Sequence, residues 1–501
     1  MSVFLGLMLS MVMSLFFTMA ESVRYSCLQT EAKTMTATAV QSAFGEYNRP
    51  LWDEYGLLAI DMDYGQESCG TQQLEETIQY YLGEDGLPNS NGVDFLKLST
   101  QDCRVDETMF LTDGEGAVLI QEAAKCVESE LTKEGLDELL NRCSVFEEAS
   151  KNTVDIEDVL SNTKKNLEET QEGNKTDEEG GVIQTLLYKD HPSGLKKMED
   201  EKEAEGNDES KNFIGSIMDF EHKAVLSQIT GDTSQLSDQS FTVENLVSNR
   251  ELQTGSIKPK EVTILNRVLF QYYLTKHFSC YGNDVHKDGM KYELEYILCG
   301  HPSDIENLTS TVKKLLLIRE VENLVSLGMD KEKVAEAKAL AATASAVILH
   351  PELEELVSYG IMAAWAYIES VLDVRLLLSG GKVSLIKTPG EWTSSLKEIG
   401  LYLDTNVKAK ECEKGITYQE YLFALYTLES QKVLSYRALD LMEENLHQKE
   451  DYEFVSMDHF LVEADCQVTL RASLLFISFI PLYQGDLSGY TYCIHKRGSY
   501  L

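Results

Sequence analysis

The sequence predicts a predominantly helical α+β protein with an N-terminal transmembrane helix. Three observations predict this class: an uncharged apolar run at residues 3–20, long helix-periodic segments after residue 260, and a strand-like alternation near the C-terminus. The chain has 501 residues, of which 43% are hydrophobic, so it can form a substantial core. Its length suits two or three domains. Only 8 Pro and 32 Gly argue against a fibrous or wholly disordered chain.

The apolar run at residues 3–20 reads VFLGLMLSMVMSLFFTMA and contains no charged side chain. Eighteen residues rise about 27 Å as an α-helix, which is close to a hydrocarbon core of about 30 Å. A cleaved secretory signal is the alternative, with its cut site at Thr18-Met19-Ala20. However, such a signal has a basic segment ahead of its apolar centre, and only Met1 and Ser2 precede this run.

A helical stripe continues beyond the apolar run, in a segment without proline. Its members are Leu28, Ala32, Met35, Ala39, Ala43 and Tyr47. The spacing predicts one helix over residues 3–47, because apolar residues three or four apart share a helix face. A cleaved signal has no reason to be continuous with a helix of the mature chain. We therefore expect residues 1–47 to form a transmembrane anchor and stalk helix.

The expected location is the cell membrane, with a single span at residues 3–20 and the bulk of the chain outside the cytoplasm. Arg24 and Lys33 oppose this orientation, because the positive-inside rule places basic residues on the cytoplasmic flank. Two charges are a weak signal, and the extracytoplasmic assignment stands as the expectation.

Three further segments are predicted after the stalk. Residues 48–145 combine short strand candidates with helices and predict a small α+β module. Residues 146–255 contain polar, mostly acidic tracts near 168–180 and 198–212, which cannot bury enough surface to offset the entropy of ordering. We expect this segment to be an acidic, largely disordered linker.

Residues 256–501 predict a helical domain with C-terminal antiparallel strands. Helical periodicity covers 261–278, 304–327, 331–349, 352–378 and 418–447. Apolar and polar residues then alternate from Phe460 to Leu470, as in a strand buried on one face. Residues 490–495 are the expected partner of this strand.

Composition and motifs exclude several functions. The 44 Lys and Arg against 83 Asp and Glu give a net charge of −39, which repels nucleic-acid phosphates. The sequence contains no P-loop, GxSxG, HExxH or GxGxxG pattern, and no two cysteines lie within four residues of each other. The nine histidines are scattered, with no metal-ligand spacing. We predict no catalytic site, no metal, no cofactor and no nucleic-acid partner.

Charged residues nevertheless stand inside apolar helices. Glu369 and Asp373 are four residues apart on one face of the helix predicted over 352–378, with Arg375 nearby. Glu295 and Arg319 have similarly apolar neighbours. Buried charges normally persist by pairing, so these five residues predict a structural polar network. The alternative is glycoside hydrolysis, which uses two carboxylates as acid and base.

Four groups of residues carry a resemblance to a known family. They are Ala20 to Arg24; Glu46-Tyr47-Asn48 with Leu51 and Glu54 to Leu57; Tyr292 to Gly300 with Ser303-Asp304 and Asn307-Leu308; and Arg319, Asn323, Trp365-Ala366-Tyr367, Glu369-Ser370 and Asp373-Val374-Arg375. Together they resemble an uncharacterised family, a domain of unknown function, of Gram-positive bacterial membrane-anchored proteins found beside Tad-type pilus genes. The N-terminus is similar to TadE/TadG-like pseudopilins.

The resemblance implies a location and a setting, since the family has no established activity. It implies a membrane-anchored structural or accessory protein, with pilus or pseudopilin proteins as partners. One position departs from the pilin pattern: Gly6 is followed five residues later by Met11, where pilin processing requires Glu. We therefore do not expect prepilin-peptidase processing. The alternative functions are an envelope hydrolase that uses carboxylates of the C-terminal domain and a secreted binding protein released by signal cleavage.

Overall fold

A computed structural model describes residues 2–64, 70–83, 95–137, 139–140, 224–242, 245–286, 289–348, 354–479 and 489–501. Its main helices are α1 (Ser2–Phe44), α2 (Arg49–Tyr55), α3 (Gln72–Leu82), α4 (Asp113–Glu128), α5 (Val225–Ile229), α6 (Ile264–His277), α7 (Glu293–Cys299), α8 (Asp304–Met329), α9 (Lys331–Ile348), α10 (Glu354–Leu378), α11 (Ile399–Tyr402), α12 (Tyr418–Tyr426) and α13 (Gln431–His447). Its strands are β1 (Ile60–Asp61), β2 (Leu98–Phe110), β3 (Phe460–Ala472) and β4 (Tyr490–Ser499). The protein is a mainly helical α+β protein with a small antiparallel sheet, as the sequence predicts.

The chain divides into two compact units, and neither is continuous in sequence. The first unit comprises Met1–Leu131, Val243–His277 and Ser430–Leu501, and the second comprises Thr132–Thr242 and Phe278–Glu429. The boundaries predicted at 48–145 and 256–501 differ from this division. The physical reason is that β2 pairs with β3, a strand more than 300 residues away, and such long-range pairing leaves no local signal.

The structure describes only the C-terminal part of the predicted linker at 146–255. Residues 146–223 and 243–244, with both acidic tracts, lie outside the described residues. Within the described part, Leu226 and Ile229 of α5 are buried, and so are Leu246 and Val247. The residues from 224 to 255 therefore include packed segments, where the sequence predicts linker.

The sheet of the first unit is antiparallel. β3 lies at its centre, with β2 along one edge, and with β1 and β4 pairing to successive parts of β3. In the register, Cys466 of β3 stands opposite Val105 of β2 and Lys496 of β4. The buried face of β3 alternates as the sequence predicts, with Ala464, Cys466, Val468 and Leu470 fully buried.

Helix α1 has two different halves. Its second half packs against the sheet, and the predicted stripe is buried there: Leu28, Ala32, Ala39 and Ala43 join one core cluster with the inner face of β3. Its first half is exposed, with Val3 at 75%, Leu9 at 63% and Met19 at 63% of their surface accessible. The N-terminal, apolar half of α1 therefore extends away from the first unit, whereas the C-terminal half is part of its core.

A buried ion pair lies where these halves meet. Glu21 Oε1 is 2.8 Å from Arg24 Nη1, and both residues are buried. Arg24 donates to the carbonyl oxygens of Phe95, at 2.5 Å, and Ser473, at 2.8 Å. Glu21 Oε2 accepts from the amide of Phe476 at 2.6 Å. These contacts tie α1 to loops at one end of the sheet, immediately after the apolar run.

The second unit is built around α8 and α10, which pack against each other and against α5. α10 also packs against α9. Both helices bury polar as well as apolar side chains. The helix predicted over 418–447 is two helices, because the chain leaves helical hydrogen bonding between α12 and α13 and restarts after Ser430.

Candidate functional site

Two helices of the second unit bring charged side chains into its core. Arg319 and Asn323 are four residues apart on α8, and Glu369 and Asp373 are four residues apart on α10. Residues at this spacing share one helix face, so the packing of α8 on α10 places both pairs together. Arg319, Glu369 and Asp373 are fully buried.

Arg319 is held by acceptors on every side of its guanidinium. Nε and Nη2 donate to Asp373 Oδ2 at 3.1 Å and 2.8 Å, and Nη2 also donates to Asn323 Oδ1 at 3.2 Å. Nη1 donates to Glu322 Oε2 at 2.5 Å and to the Tyr421 hydroxyl oxygen at 2.9 Å. A buried charge so fully bonded is stable, because the hydrogen bonds replace its lost hydration.

Lys387 brings a second cation to the same carboxylates from the segment that follows α10. Its ammonium contacts Glu369 Oε1 and lies 2.5 Å from Asp373 Oδ1. Glu369 Oε1 also accepts from the amide of Thr393 at 3.0 Å. Glu369 Oε2 accepts from the amide of Ser394 at 2.8 Å and from its hydroxyl at 2.6 Å. We call Arg319, Glu322, Asn323, Glu369, Asp373 and Lys387 the buried charge cluster.

The electrostatics of the buried charge cluster follow from its composition of three carboxyl groups and two cations. Burial would raise the pKa of Asp373, but the charges of Arg319 and Lys387 outweigh burial and lower it. Burial raises the pKa of Glu322 to about 7, and the charge of Arg319 opposes this rise. Burial and the charge of Arg319 thus act on Glu322 in opposite directions, and burial has the larger effect.

Arg375 belongs to a different arrangement, although it lies on the same helix as Asp373. Its guanidinium donates to the carbonyl oxygens of Gln228, Tyr402, Asp404 and Val407, at 2.7–3.0 Å. Burial lowers its pKa to about 10. The residue joins α10 to α5 and to the segment around α11, and so binds backbone where the sequence predicts a carboxylate network.

Glu295 has its own partners as well. It lies on α7, is fully buried, and its Oε1 accepts from the Tyr418 hydroxyl at 2.6 Å and from the amide of Tyr281 at 2.9 Å. Burial raises its pKa to about 7, and the bond from Tyr418 opposes the rise. The structure thus brings together Arg319, Glu369 and Asp373 of the predicted network and assigns Arg375 and Glu295 to other partners.

Three members of the cluster, Glu322, Asn323 and Lys387, are absent from the predicted network. Lys387 lies in a mixed segment after Gly380-Gly381, where nothing in the sequence marks it as buried. Asn323 does have a signal, since it stands four residues after Arg319 on the same helix face.

A second charged cluster, in the first unit, is also missing from the sequence prediction. Arg250 Nη1 lies 2.5 Å from Glu443 Oε1, and its Nη2 lies 2.7 Å from Asp458 Oδ1. Burial would lower the pKa of Arg250, but the two carboxylates raise it. Arg250 falls within the predicted linker, so neighbouring residues gave no reason to expect it inside a folded unit.

The chemistry available to these groups is limited by their bonding. The carboxylates of the buried charge cluster are enclosed and already bonded to cations or donors, whereas a hydrolase needs carboxylates that face a substrate. Among the residues that the structure describes, no group of His, Cys, Asp and Glu is arranged to hold a metal ion. The arrangement is that of an internal ionic core.

Comparison with known proteins identifies one family. A family of unknown function (DUF5702) matches residues 202–472, which is more than half of the chain. No curated protein and no solved structure matches the sequence. The match includes every residue of the buried charge cluster. Given its extent, the chain belongs to this family of unknown function.

Proposed function

We propose that this member of the family of unknown function is a membrane-anchored, extracytoplasmic structural or accessory protein. In this proposal it is associated with a Tad-type pilus or a related envelope assembly and has no catalytic activity. The association with a pilus draws on the resemblance of its N-terminus to TadE/TadG-like pseudopilins. The structural support comes from helix α1, the buried charge cluster and the contacts of Glu21 and Arg24.

Helix α1 is the observation that carries the proposal. It is the one candidate membrane helix among the described residues, and its most apolar window is wholly unburied. A signal sequence passes the same test of length and composition. The continuity of α1 into a packed half favours an anchor, because the same helix that would enter the bilayer is part of the core of the first unit.

The contacts of Glu21 and Arg24 support the same proposal. A membrane helix that anchors a folded unit needs a rigid connection to that unit. Here the ion pair and its bonds to loop carbonyls and amides begin one residue after the apolar run. Polar groups at this position also suit the interface, since charged groups are costly inside hydrocarbon.

The absence of catalysis is proposed from the bonding of the carboxylates. The pair that the sequence offers for hydrolysis, Glu369 and Asp373, is held by Lys387, Arg319 and backbone amides. The experiments below would also detect the two alternative functions, an envelope hydrolase and a secreted binding protein.

Orientation is tested with Cys493, an exposed residue of β4. Intact cells are treated with a membrane-impermeant maleimide, and the label at Cys493 is read from its peptide by mass spectrometry. We expect labelling before lysis, with no label at this position in the Cys493→Ser control. Labelling only after lysis would contradict the extracytoplasmic assignment.

Association with an assembly is tested at the exposed half of α1. A photoreactive residue is placed at Leu9, which is 63% exposed, and in a matched control at Tyr80 of α3, which is 80% exposed. We expect adducts with a pilus-type membrane protein from position 9 and none from position 80. Adducts with lipid alone from position 9 would remove the pilus partner from the proposal. Glycan or peptide hydrolysis by the purified chain would support the hydrolase instead.

A further inference from the structure

Lys387 is an unusual lysine because its amine is buried between two carboxyl groups. Its side chain is 1% exposed, and the side chains of Glu369 and Asp373 are fully buried. The amine nitrogen lies 2.5 Å from Asp373 Oδ1 and also contacts Glu369 Oε1. An amine and a carboxyl group that are held in contact can condense to an amide with loss of one water molecule.

Three hydrogen-bond donors converge on one oxygen of the Asp373 carboxyl group. Its Oδ2 accepts from Arg319 Nε and Nη2, at 3.1 Å and 2.8 Å, and from Asn323 Nδ2 at 2.9 Å. Preorganised donors at one oxygen stabilise the negative charge that develops there when a nucleophile adds to the carbon. The other oxygen, Oδ1, faces the amine of Lys387 and is placed to leave.

Glu369 is positioned to move the protons. Its Oε2 is fixed by the amide and hydroxyl of Ser394, at 2.8 Å and 2.6 Å, and its Oε1 accepts from the amide of Thr393 at 3.0 Å. Oε1 also contacts the amine of Lys387. A carboxylate in direct contact with an ammonium group can take its proton and later return it, which is general base and acid catalysis.

The surroundings exclude water and restrain the amine. The Lys387 nitrogen lies 5.9 Å from the centre of the Trp392 ring, and Trp392 packs edge-on against the buried Trp365, with ring centres 5.9 Å apart. Water opposes amide formation by solvating the ion pair and by hydrolysing activated carboxyl groups. Holding two reacting groups in place replaces a bimolecular encounter with an intramolecular step. In favourable cases the effective concentration of one group at the other reaches about 10⁵–10⁸ M.

We propose that Lys387 and Asp373 become joined by an intramolecular amide bond, with Glu369 as the proton carrier. The ammonium of Lys387 gives one proton to Glu369, which passes it to Oδ1 of Asp373, and the free amine then adds to Cγ of the neutral carboxylic acid. The new N–Cγ bond forms, Glu369 carries a second proton from the nitrogen to Oδ1, the Cγ–Oδ1 bond breaks, and Oδ1 leaves as water with two protons that came from the ammonium group. The overall change converts an ammonium and a carboxylate into an amide and one water, with no change of redox state or net charge.

The bond would close a covalent loop between α10 and the segment that follows it. The chain leaves α10 after Leu378, turns at Gly380 and returns so that Lys387 reaches the helix face of Asp373. A covalent cross-link limits the conformations of the unfolded chain, as a disulfide does, without depending on the redox state of its surroundings. This inference does not depend on the proposed function, since the contacts lie wholly within the second unit.

Mass spectrometry of the unmodified full-length protein tests the proposal directly. Trypsin cleaves after Lys338 and Arg375, which places Asp373 in peptide 339–375, whereas an acylated Lys387 remains inside peptide 383–397. We expect these two peptides to be recovered joined, lighter by one water than their sum, with fragment ions that place the bond at Asp373. Recovery of peptide 339–375 at its unmodified mass, together with peptides 383–387 and 388–397 from cleavage after Lys387, would overturn the proposal, and so would a bond at Glu369.

Two controls make the result specific. Lys314 and Glu429 form a half-buried ion pair at 3.0 Å, and their peptides should remain separate in the same digest. The Glu369→Gln variant removes the proton carrier while keeping the size of the side chain, and we expect it to lose the joined peptide. Wild-type yield of the joined peptide in this variant would overturn the role of Glu369. The wild-type digest decides the central point even where the variant folds poorly.

Discussion

At the residue scale, Arg319 shows how a charge is accommodated in the second unit. Its Nε, Nη1 and Nη2 atoms all donate to protein acceptors, and Nη1 also reaches the carbonyl oxygens of Ser384 and Leu385, at 2.9 Å and 3.0 Å. Removing this side chain leaves the buried carboxyl groups of Glu322 and Asp373 without the guanidinium cation that pairs with both of them. The loss of one partner from a buried ionic group is more damaging than the loss of an exposed pair.

Arg319→Met should therefore strongly destabilise the protein. We expect the free energy of unfolding to fall by about 3–5 kcal/mol, because Glu322 and Asp373 lose their buried partner. The measurement is chemical denaturation of the full-length protein in detergent, followed by circular dichroism.

The matched control is Arg104→Met, since Arg104 forms an exposed ion pair with Asp102. Such a substitution should change stability by no more than about 0.5 kcal/mol. Equal effects for the two variants would contradict a stabilising role for the buried charge cluster.

Glu295 gives a prediction about pH. Its pKa is raised in the folded state to about 7 from an ordinary value of 4.5. The folded protein therefore binds the proton more tightly than the unfolded chain, and stability from this group is present below pH 4.5 and is lost as pH rises to 7. One proton contributes at most about 1.4 kcal/mol per pH unit to this slope.

Glu295→Gln should reduce the loss of stability between pH 5 and pH 7. The amide oxygen can still accept from Tyr418 and Tyr281, while the group no longer ionises. Melting curves at these two pH values measure the effect. An unchanged pH slope would mean that Glu295 does not carry the shifted proton.

For single charged residues, the sequence predicts whether the side chain is buried better than it predicts which groups it binds. Arg319, Glu369 and Asp373 are predicted because charges inside apolar helices must be paired. Arg375 is correctly expected to be buried, but its partners are backbone carbonyls, which carry no sequence signal. Lys387 lies in a loop whose composition gives no indication of burial.

At the element scale, the packing of α1 on the sheet depends on a close approach at Gly498. A Cβ atom at this position would lie 2.3 Å from the ring of Phe44, near the end of α1. The ring of Phe44 also packs against Tyr500, with ring centres 5.2 Å apart, so moving it away from Gly498 would disturb a second contact. Glycine is therefore required here by the approach of the helix to β4.

Gly498→Ala should destabilise the protein by about 1–3 kcal/mol through overpacking of this contact. The control is Gly328→Ala near the end of α8, where an added Cβ meets nothing within 4 Å. Replacing a helical glycine by alanine in open space should be neutral or stabilising. Thermal melting of the two variants measures the difference. An unchanged melting temperature for Gly498→Ala would mean that α1 lies further from β4 than this contact requires.

Periodic elements are well predicted at this scale. The stripe of α1 and the alternation of β3 both continue over many residues, so their patterns are clear and the structure confirms them. The break between α12 and α13 is not predicted, because Thr427 to Ser430 contain neither Gly nor Pro and the amphipathic pattern continues across them.

At the scale of the whole molecule, the chain builds its first unit from distant parts. β3 and β4 belong to the last 42 residues of the chain, while β2 comes from residues 98–110. β3 pairs along its length with β2, so a C-terminal fragment leaves that edge open. An unpaired strand edge invites association with other chains.

A fragment of residues 256–501 should therefore aggregate or remain only partly folded. Gel filtration and melting of the fragment beside the full-length protein test this expectation. A monomeric fragment with a full cooperative transition would contradict the division into discontinuous units and favour the domain boundary at 256.

The central claim is that the apolar half of α1 remains attached as an anchor. The most direct test is the mass of the mature chain in the membrane and soluble fractions of cells that express the full sequence. The proposal predicts a membrane-bound chain that retains residues 3–20. A soluble chain that begins at Glu21 would contradict it.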